Sequence, residues 1–242
     1  MAADLVLLHG FTQTGRSWQP VRHALAARYR ALAPDLPGHG ALAERRPGSF
    51  AACDAYLRVL AEDPIVLAGY SMGGRIALHA ALSLGARVRR LVLIGASPGI
   101  ADPAERAARA AADAALAERI EAIGIEAFVR EWGAQLLFAG MPRGIAESAE
   151  QDRLRNGAPG LAAALRGLGT GVMPSLWERL AELEPPVELV VGERDVKFRA
   201  IAERMEPLLR DARLHVVAGA GHAVHLEAPD AVADIIAARA AR

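Results

Sequence analysis

A single cysteine, Cys53, is present in the 242 residues, so no internal disulfide can form and a reducing compartment is expected. Cys53 lies in a helix-patterned stretch and reads as a small buried residue, not a nucleophile. There is no C-x-x-C, no G-x-G-x-x-G and no P-loop, so neither a metal nor a nucleotide cofactor is implied. Charge of one sign is not in excess: 28 basic and 28 acidic side chains cancel, and no long-range field draws the chain to nucleic acid or an anionic membrane. No apolar run approaches the length of a bilayer span. The N-terminal run Leu5 to Leu8 has no basic segment before it and stops at His9-Gly10, so it reads as a strand rather than a signal peptide, with a cytoplasmic location expected.

Hydrophobic residues make up 52% and charged residues 23%, a balance that folds, in a length that suits one domain. Short β-rich runs at Leu5–Leu8, Tyr29–Ala33, Ile65–Ala68, Leu91–Ile94, Val187–Val191 and Leu214–Val217 alternate with helical patterns at Trp18–Ala27, Phe50–Ala61, Gly73–Leu84, Lys197–Arg210 and Pro229–Arg242. The strands are apolar throughout rather than alternating, as expected where both faces of a parallel sheet are covered. This is a doubly wound, mostly parallel α/β pattern. Between residues 98 and 184 the alternation gives way to Ala-, Arg- and Glu-rich helical stretches, a predicted helical lid inserted between core strands.

The strongest chemical signal is Gly69-Tyr70-Ser71-Met72-Gly73, which follows a strand and opens a helix. In such a G-x-S-x-G elbow the glycines allow a very tight turn, and the serine hydroxyl is held above the sheet at a helix N-terminus. A serine near its ordinary pKa needs a histidine to take its proton and an acid to fix that histidine's tautomer. His222, in the glycine-lined loop Ala218-Gly219-Ala220-Gly221-His222, is the candidate histidine, with His225 as the alternative. Asp195, after the fifth strand, is the candidate acid, with Glu193 and Asp102 as alternatives. The order Ser, Asp, His is that of the α/β-hydrolase fold. The backbone amides of Phe11, after the first strand, and of Met72 are the candidate oxyanion donors. Asp35-Leu36-Pro37-Gly38-His39-Gly40 reads as a structural turn whose aspartate bonds backbone amides.

The chain resembles the 2-succinyl-6-hydroxy-2,4-cyclohexadiene-1-carboxylate synthases of menaquinone biosynthesis. The likeness is carried by Leu8-His9-Gly10-Phe11-Thr12-Gln13-Thr14-Gly15 with Trp18, Gly69-Tyr70-Ser71-Met72-Gly73-Gly74-Arg75, Ile94-Gly95-Ala96-Ser97-Pro98-Gly99-Ile100 and Glu105-Arg106-Ala107-Ala108-Arg109. Glu131-Trp132 with Phe138, Leu154-Arg155-Asn156-Gly157 and Gly192-Glu193-Arg194-Asp195-Val196-Lys197-Phe198 extend it over nearly the whole chain. The resemblance implies a lyase that eliminates pyruvate from an enolpyruvyl precursor. It implies that Arg75, Arg109 and Arg155, with Arg106 in support, hold the carboxylates of a small polycarboxylate substrate, with Trp132, Phe138 and Tyr70 about the pocket. Gly133 stands where some relatives carry an aromatic residue, and the first one or two strands usual in the fold are short or missing. A carboxylesterase or thioesterase acting through a Ser71 acyl-enzyme, and a non-catalytic ligand receptor, are the competing readings.

Overall fold

The computed structural model describes residues 3–45, 48–60 and 64–238. Six parallel strands form one sheet in the order β2-β1-β3-β4-β5-β6: β1 (Ala3–Leu8), β2 (Tyr29–Leu32), β3 (Ile65–Tyr70), β4 (Val88–Ile94), β5 (Val187–Gly192) and β6 (Ala212–Val217). The helices are α1 (Gln19–Leu25), α2 (Phe50–Leu60), α3 (Met72–Leu84), α4 (Pro103–Gly133), α5 (Arg143–Arg153), α6 (Ala158–Leu168), α7 (Val196–Met205), α8 (Val224–Glu227) and α9 (Pro229–Ala237). Ala61 and residues 239–242, the ends of two helices expected from the sequence, lie outside the described residues.

Both faces of the sheet are covered, and the strand period of two divides the core accordingly. Leu5 and Leu7 pack on one side with Trp18, Val66 and Ile236, while Val6 and Leu8 pack on the other with Leu67 and Ile76. Each such fully buried aliphatic side chain contributes about 1.5–3 kcal/mol. The edge strands differ from the expected continuous apolar runs: β2 and β6 are only half-buried, each having a neighbour on one side alone. Strand β4 begins three residues before Leu91, and one of the two arginines in that start is buried: Arg90 pairs with Glu188 at 2.8 Å and donates to the Ile235 and Ile236 carbonyls at the end of α9, while Arg89 is exposed. An arginine run reads as surface in a sequence, yet here one guanidinium satisfies a helix C-terminus. The helix expected through Arg210 stops at Met205, just ahead of Pro207, whose ring cannot continue an α-helix.

Helices α4, α5 and α6 leave the sheet after β4 and return to β5. Asp102 starts α4 by accepting the Glu105 amide at 2.8 Å, with Pro103 in the first turn, a combination suited to a helix N-terminus. Gly124, at φ +77°, kinks α4, and Arg119 before the kink pairs with Glu131 beyond it at 2.6 Å; residues of both halves join α6 in a separate small core of Ala117, Ile120, Phe128, Leu161 and Leu165.

Candidate active site

The turn from β3 into α3 holds Ser71 at φ +50° and ψ −108°, a conformation rare for a residue with a side chain. The glycines around it are sterically required, though by neighbours other than each other's side chains. A Cβ on Gly69 would stand 2.3 Å from the Gly73 carbonyl oxygen, and one on Gly73 would stand 2.2 Å from the Leu8 carbonyl oxygen. Helix α3 is therefore pressed directly against β1 and β3, which projects the Ser71 side chain beyond the strand ends. The strained turn is tied to the sheet where the Ser71 amide donates to the Ile94 carbonyl at 2.9 Å.

The loop after β6 returns to this point. His222 is buried and its Nδ1 lies 2.6 Å from Asp195 Oδ2, with both side chains almost wholly removed from solvent. Because the carboxylate can only accept, this bond places the ring proton on Nδ1 and leaves Nε2 as an acceptor. Asp195 Oδ1 also accepts the Phe198 amide at 3.3 Å and thereby caps α7. Neither alternative acid is available to His222: Glu193 accepts the Gly219 amide, and Asp102 caps α4. His225 is fully buried between Trp18 and Tyr70, with ring centroids 4.7 and 4.2 Å away, and neither of its nitrogens has a partner.

Ser71, His222, Phe11 and Met72 line one cavity of about 440 Å³. The backbone amides of Phe11 and Met72, two of its lining residues, donate to no other group among the described residues. Three cations line the same space: Arg75, Arg109 and Lys197. Burial, with Arg109 nearby, pulls the Arg75 guanidinium down to about 10, and Arg75 donates to the Leu168 carbonyl at 2.7 Å. Arg109 is held by Asp113 at 2.7 Å, whose other oxygen accepts the Gly171 amide. Lys197 lies 5.6 Å over the Phe198 ring, and Phe198 in turn stacks 4.5 Å from His222. Trp132 lines the cavity with its indole N–H unpartnered.

Not every residue implied by the family resemblance reaches this space. Arg155 is exposed and borders a separate depression with Arg16 and Asp152. Two positions earlier, Arg153 is buried, carries its guanidinium 4.8 Å over the Phe138 ring, has no acceptor for its Nε and borders, with Phe138, a depression other than the cavity of Ser71. The reason is the tight turn that ends α5, in which the Arg155 and Asn156 amides bond back to the Asp152 and Arg153 carbonyls, so that residues 153 and 155 face opposite ways. Burial lowers the pKa of Arg153. Arg106 donates to the Ile100 carbonyl and does not line the cavity. Tyr70 is buried against His222 at 5.1 Å, and burial raises its hydroxyl above the ordinary value; Phe138 lies 6.5 Å from His222. Lys197, Phe198 and Arg153 stood in the sequence without an assigned role. The one local signal was the position of Lys197 and Phe198 two and three residues after the acid.

The sequence matches the model of the alpha/beta hydrolase family over residues 5–235. It is 39% identical over 236 residues, 93% of this chain and 85% of the relative, to a Bacillus subtilis (strain 168) protein provisionally named as a 2-succinyl-6-hydroxy-2,4-cyclohexadiene-1-carboxylate synthase. It is 36% identical to the synthase of that name from Klebsiella pneumoniae, covering 94% of this chain and 90% of the relative. Among solved structures it is similar to MenH from S. aureus, with a TM-score of 0.88 and 34% identity over 97% of this chain and 91% of that one.

Proposed function

The chain belongs to the alpha/beta hydrolase family and, within it, to the 2-succinyl-6-hydroxy-2,4-cyclohexadiene-1-carboxylate synthases, and from that premise we propose that Ser71, His222 and Asp195 eliminate pyruvate from 2-succinyl-5-enolpyruvyl-6-hydroxy-3-cyclohexene-1-carboxylate. The product, 2-succinyl-6-hydroxy-2,4-cyclohexadiene-1-carboxylate, carries the ring double bonds at positions 2 and 4, which fixes the electron flow. A base removes the C2 proton, α to the succinyl ketone. The C2–H electrons form C2=C3, the C3=C4 pair moves to C4=C5, and the C5–O bond breaks to release the enolate of pyruvate, which takes a proton back from the His222 imidazolium and so restores the site.

Ser71 is the base in this reading, its own proton passing to Nε2 of His222 as it takes the one from carbon. The 2.6 Å bond to Asp195 supports the role, because a carboxylate at Nδ1 stabilises the imidazolium that forms. As C2 loses its proton, charge moves onto the ketone oxygen, where the open amides of Phe11 and Met72 would receive it. No bond from serine to carbon is required, so the elbow serves as a base rather than a nucleophile.

The observation that carries this reading is the company of the elbow: Arg75, Arg109 and Lys197 share its cavity. A pocket for neutral esters has no use for three cations, whereas a substrate with carboxylates on its ring, succinyl and enolpyruvyl groups does. We assign Arg153, which borders a different depression beside Phe138, to the same task, because a buried guanidinium whose Nε has no acceptor gains from an anion. The 98–184 insertion acts as the cover, since Trp132 and Arg109 reach the cavity from α4. The test is pyruvate release from the enolpyruvyl substrate: turnover lost in Ser71→Ala supports the reading. Full activity in that variant, or p-nitrophenyl ester hydrolysis faster than elimination, rejects it.

A further inference from the structure

Thr12 follows the candidate oxyanion donor Phe11 and has φ +71°, a left-handed conformation that a β-branched residue adopts only when its surroundings impose it. The constraints can be traced along the loop. Gly10 N–H donates to the Gln13 side chain, Thr12 N–H to His39 Nε2, Gln13 N–H to the Gly10 carbonyl, Thr14 N–H to Asp152 and Gly15 N–H to Asp35. Among the amides from Gly10 to Gly15, that of Phe11 alone has no acceptor among the described residues.

Two of the ties come from the insertion rather than the hydrolase core. Asn156, in the turn between α5 and α6, donates its Nδ2 to the Thr12 carbonyl at 2.6 Å while its Oδ1 accepts the Gly40 amide at 3.0 Å. Asp152, in the last turn of α5, accepts the Thr14 amide at 2.9 Å and the Thr14 hydroxyl at 2.5 Å. Thr12, Thr14, Asp152 and Asn156 are all buried, so water does not compete for these bonds and each is expensive to leave unmade.

We propose that Asn156 and Asp152 are positioning residues that hold the strained Thr12 turn and so aim the Phe11 amide at the developing oxyanion. The proposal rests on the oxyanion role of that amide given above. It divides the insertion in two: the 152–156 turn is bolted to the oxyanion loop and stays in place, and any opening of the cover pivots elsewhere. Segment 152–156 then serves the site twice, since Arg153 projects from the same turn towards Phe138.

Removing an oxyanion donor costs on the order of 100- to 1000-fold in kcat, and mis-aiming one costs less. Asn156→Ala and Asp152→Ala are therefore expected to lower kcat about 10- to 100-fold with KM changed by less than about threefold, the pattern of an interaction made in the transition state. Asn156→Asp keeps the side chain's size and the Gly40 contact but removes the donor to Thr12, and it should lose as much. Asp152→Asn should retain kcat within about threefold, because an amide can accept the Thr14 N–H and donate to the Thr14 hydroxyl. A crystal structure of Asn156→Asp should show Thr12 relaxed to negative φ. Unchanged kcat in the Asn156 variants, a rise in KM that accounts for the whole loss, Asp152→Asn as impaired as Asp152→Ala, or Thr12 still at positive φ would overturn the proposal. Should the wild-type protein release no pyruvate, the substrate reading falls, and the Thr12 conformation in that crystal structure still decides the positioning role.

Discussion

Gly95 lies directly beneath His222: a Cβ on Gly95 would stand 2.9 Å from the imidazole Cε1 and 3.0 Å from Nδ1, and the glycine's φ is +54°. The imidazole's height above the sheet is thus set by the first residue after β4, whose amide is fixed to the Val190 carbonyl at 2.9 Å.

Gly95→Ala should accordingly push the imidazole away from Ser71. Left-handed backbone with a Cβ costs about 1–2 kcal/mol, and a displacement approaching 1 Å at the reacting groups costs on the order of 100-fold in rate. Thermal unfolding and kcat measured on the same sample should both fall. A variant with unchanged kcat would show that the ring has room to spare.

Asp195→Asn should reduce kcat by on the order of 10³- to 10⁴-fold, because an amide at Nδ1 favours the wrong tautomer and gives no charge to the imidazolium. Glu193→Gln, which alters only an exposed contact to the Gly219 amide, should leave kcat within about twofold. Steady-state pyruvate release compares the two, and a larger loss in Glu193→Gln would move the acid to position 193.

The neighbouring arginines of the α5 turn should behave oppositely. Arg153→Ala removes a buried cation, and loss of a charge-assisted bond of about 1.5–3 kcal/mol raises KM roughly 10- to 100-fold. Arg155→Ala removes an exposed side chain bordering a different depression, so KM should shift by less than about twofold. Equal effects in the two would remove Arg153 from the carboxylate-binding task proposed for it.

Three buried histidines make the fold sensitive to acid. Burial pulls His9 down to about 4 and His39 and His225 down to about 3. The unfolded chain takes up protons on these rings as the pH falls below about 6.5, while the folded protein refuses them until about 4 to 3. Their contribution is therefore complete above about pH 6.5 and is lost on acidification, at about 1.4 kcal/mol per unit for each ring. Denaturant melts at pH 7, 6 and 5 should show a steep decline across this window. His225→Phe, which replaces two unpartnered buried nitrogens, should be more stable than wild type by about 1 kcal/mol and less sensitive to pH. A flat stability profile from pH 7 to 5 would mean that the rings are hydrated.

The alternation of apolar runs with helical patterns, the elbow glycines and the Ser, Asp, His order were all legible in the sequence, because each is a local pattern of period, turn chemistry or spacing. Local pattern also led to Asp195 and His222, two residues that the folded chain brings within 2.6 Å of each other. It could not show which way a side chain faces at the end of a helix: Arg155, the arginine that the family resemblance implied, is exposed, while the turn after α5 buries Arg153. The partners of His9 and His39 were hidden for the same reason. Their nitrogens accept the Leu36 and Thr12 amides across 27 residues of chain, and no spacing rule announces a partner at that distance. Asn156 lies 144 residues from the Thr12 carbonyl it holds. The sequence by itself determined which chemistry the chain carries, since strand period and tight turns are written in adjacent residues. The left-handed turn at Thr12 and the choice of which arginine is buried were decided only by tertiary structure, because a strained turn persists and a charge stays buried only through contacts from distant segments.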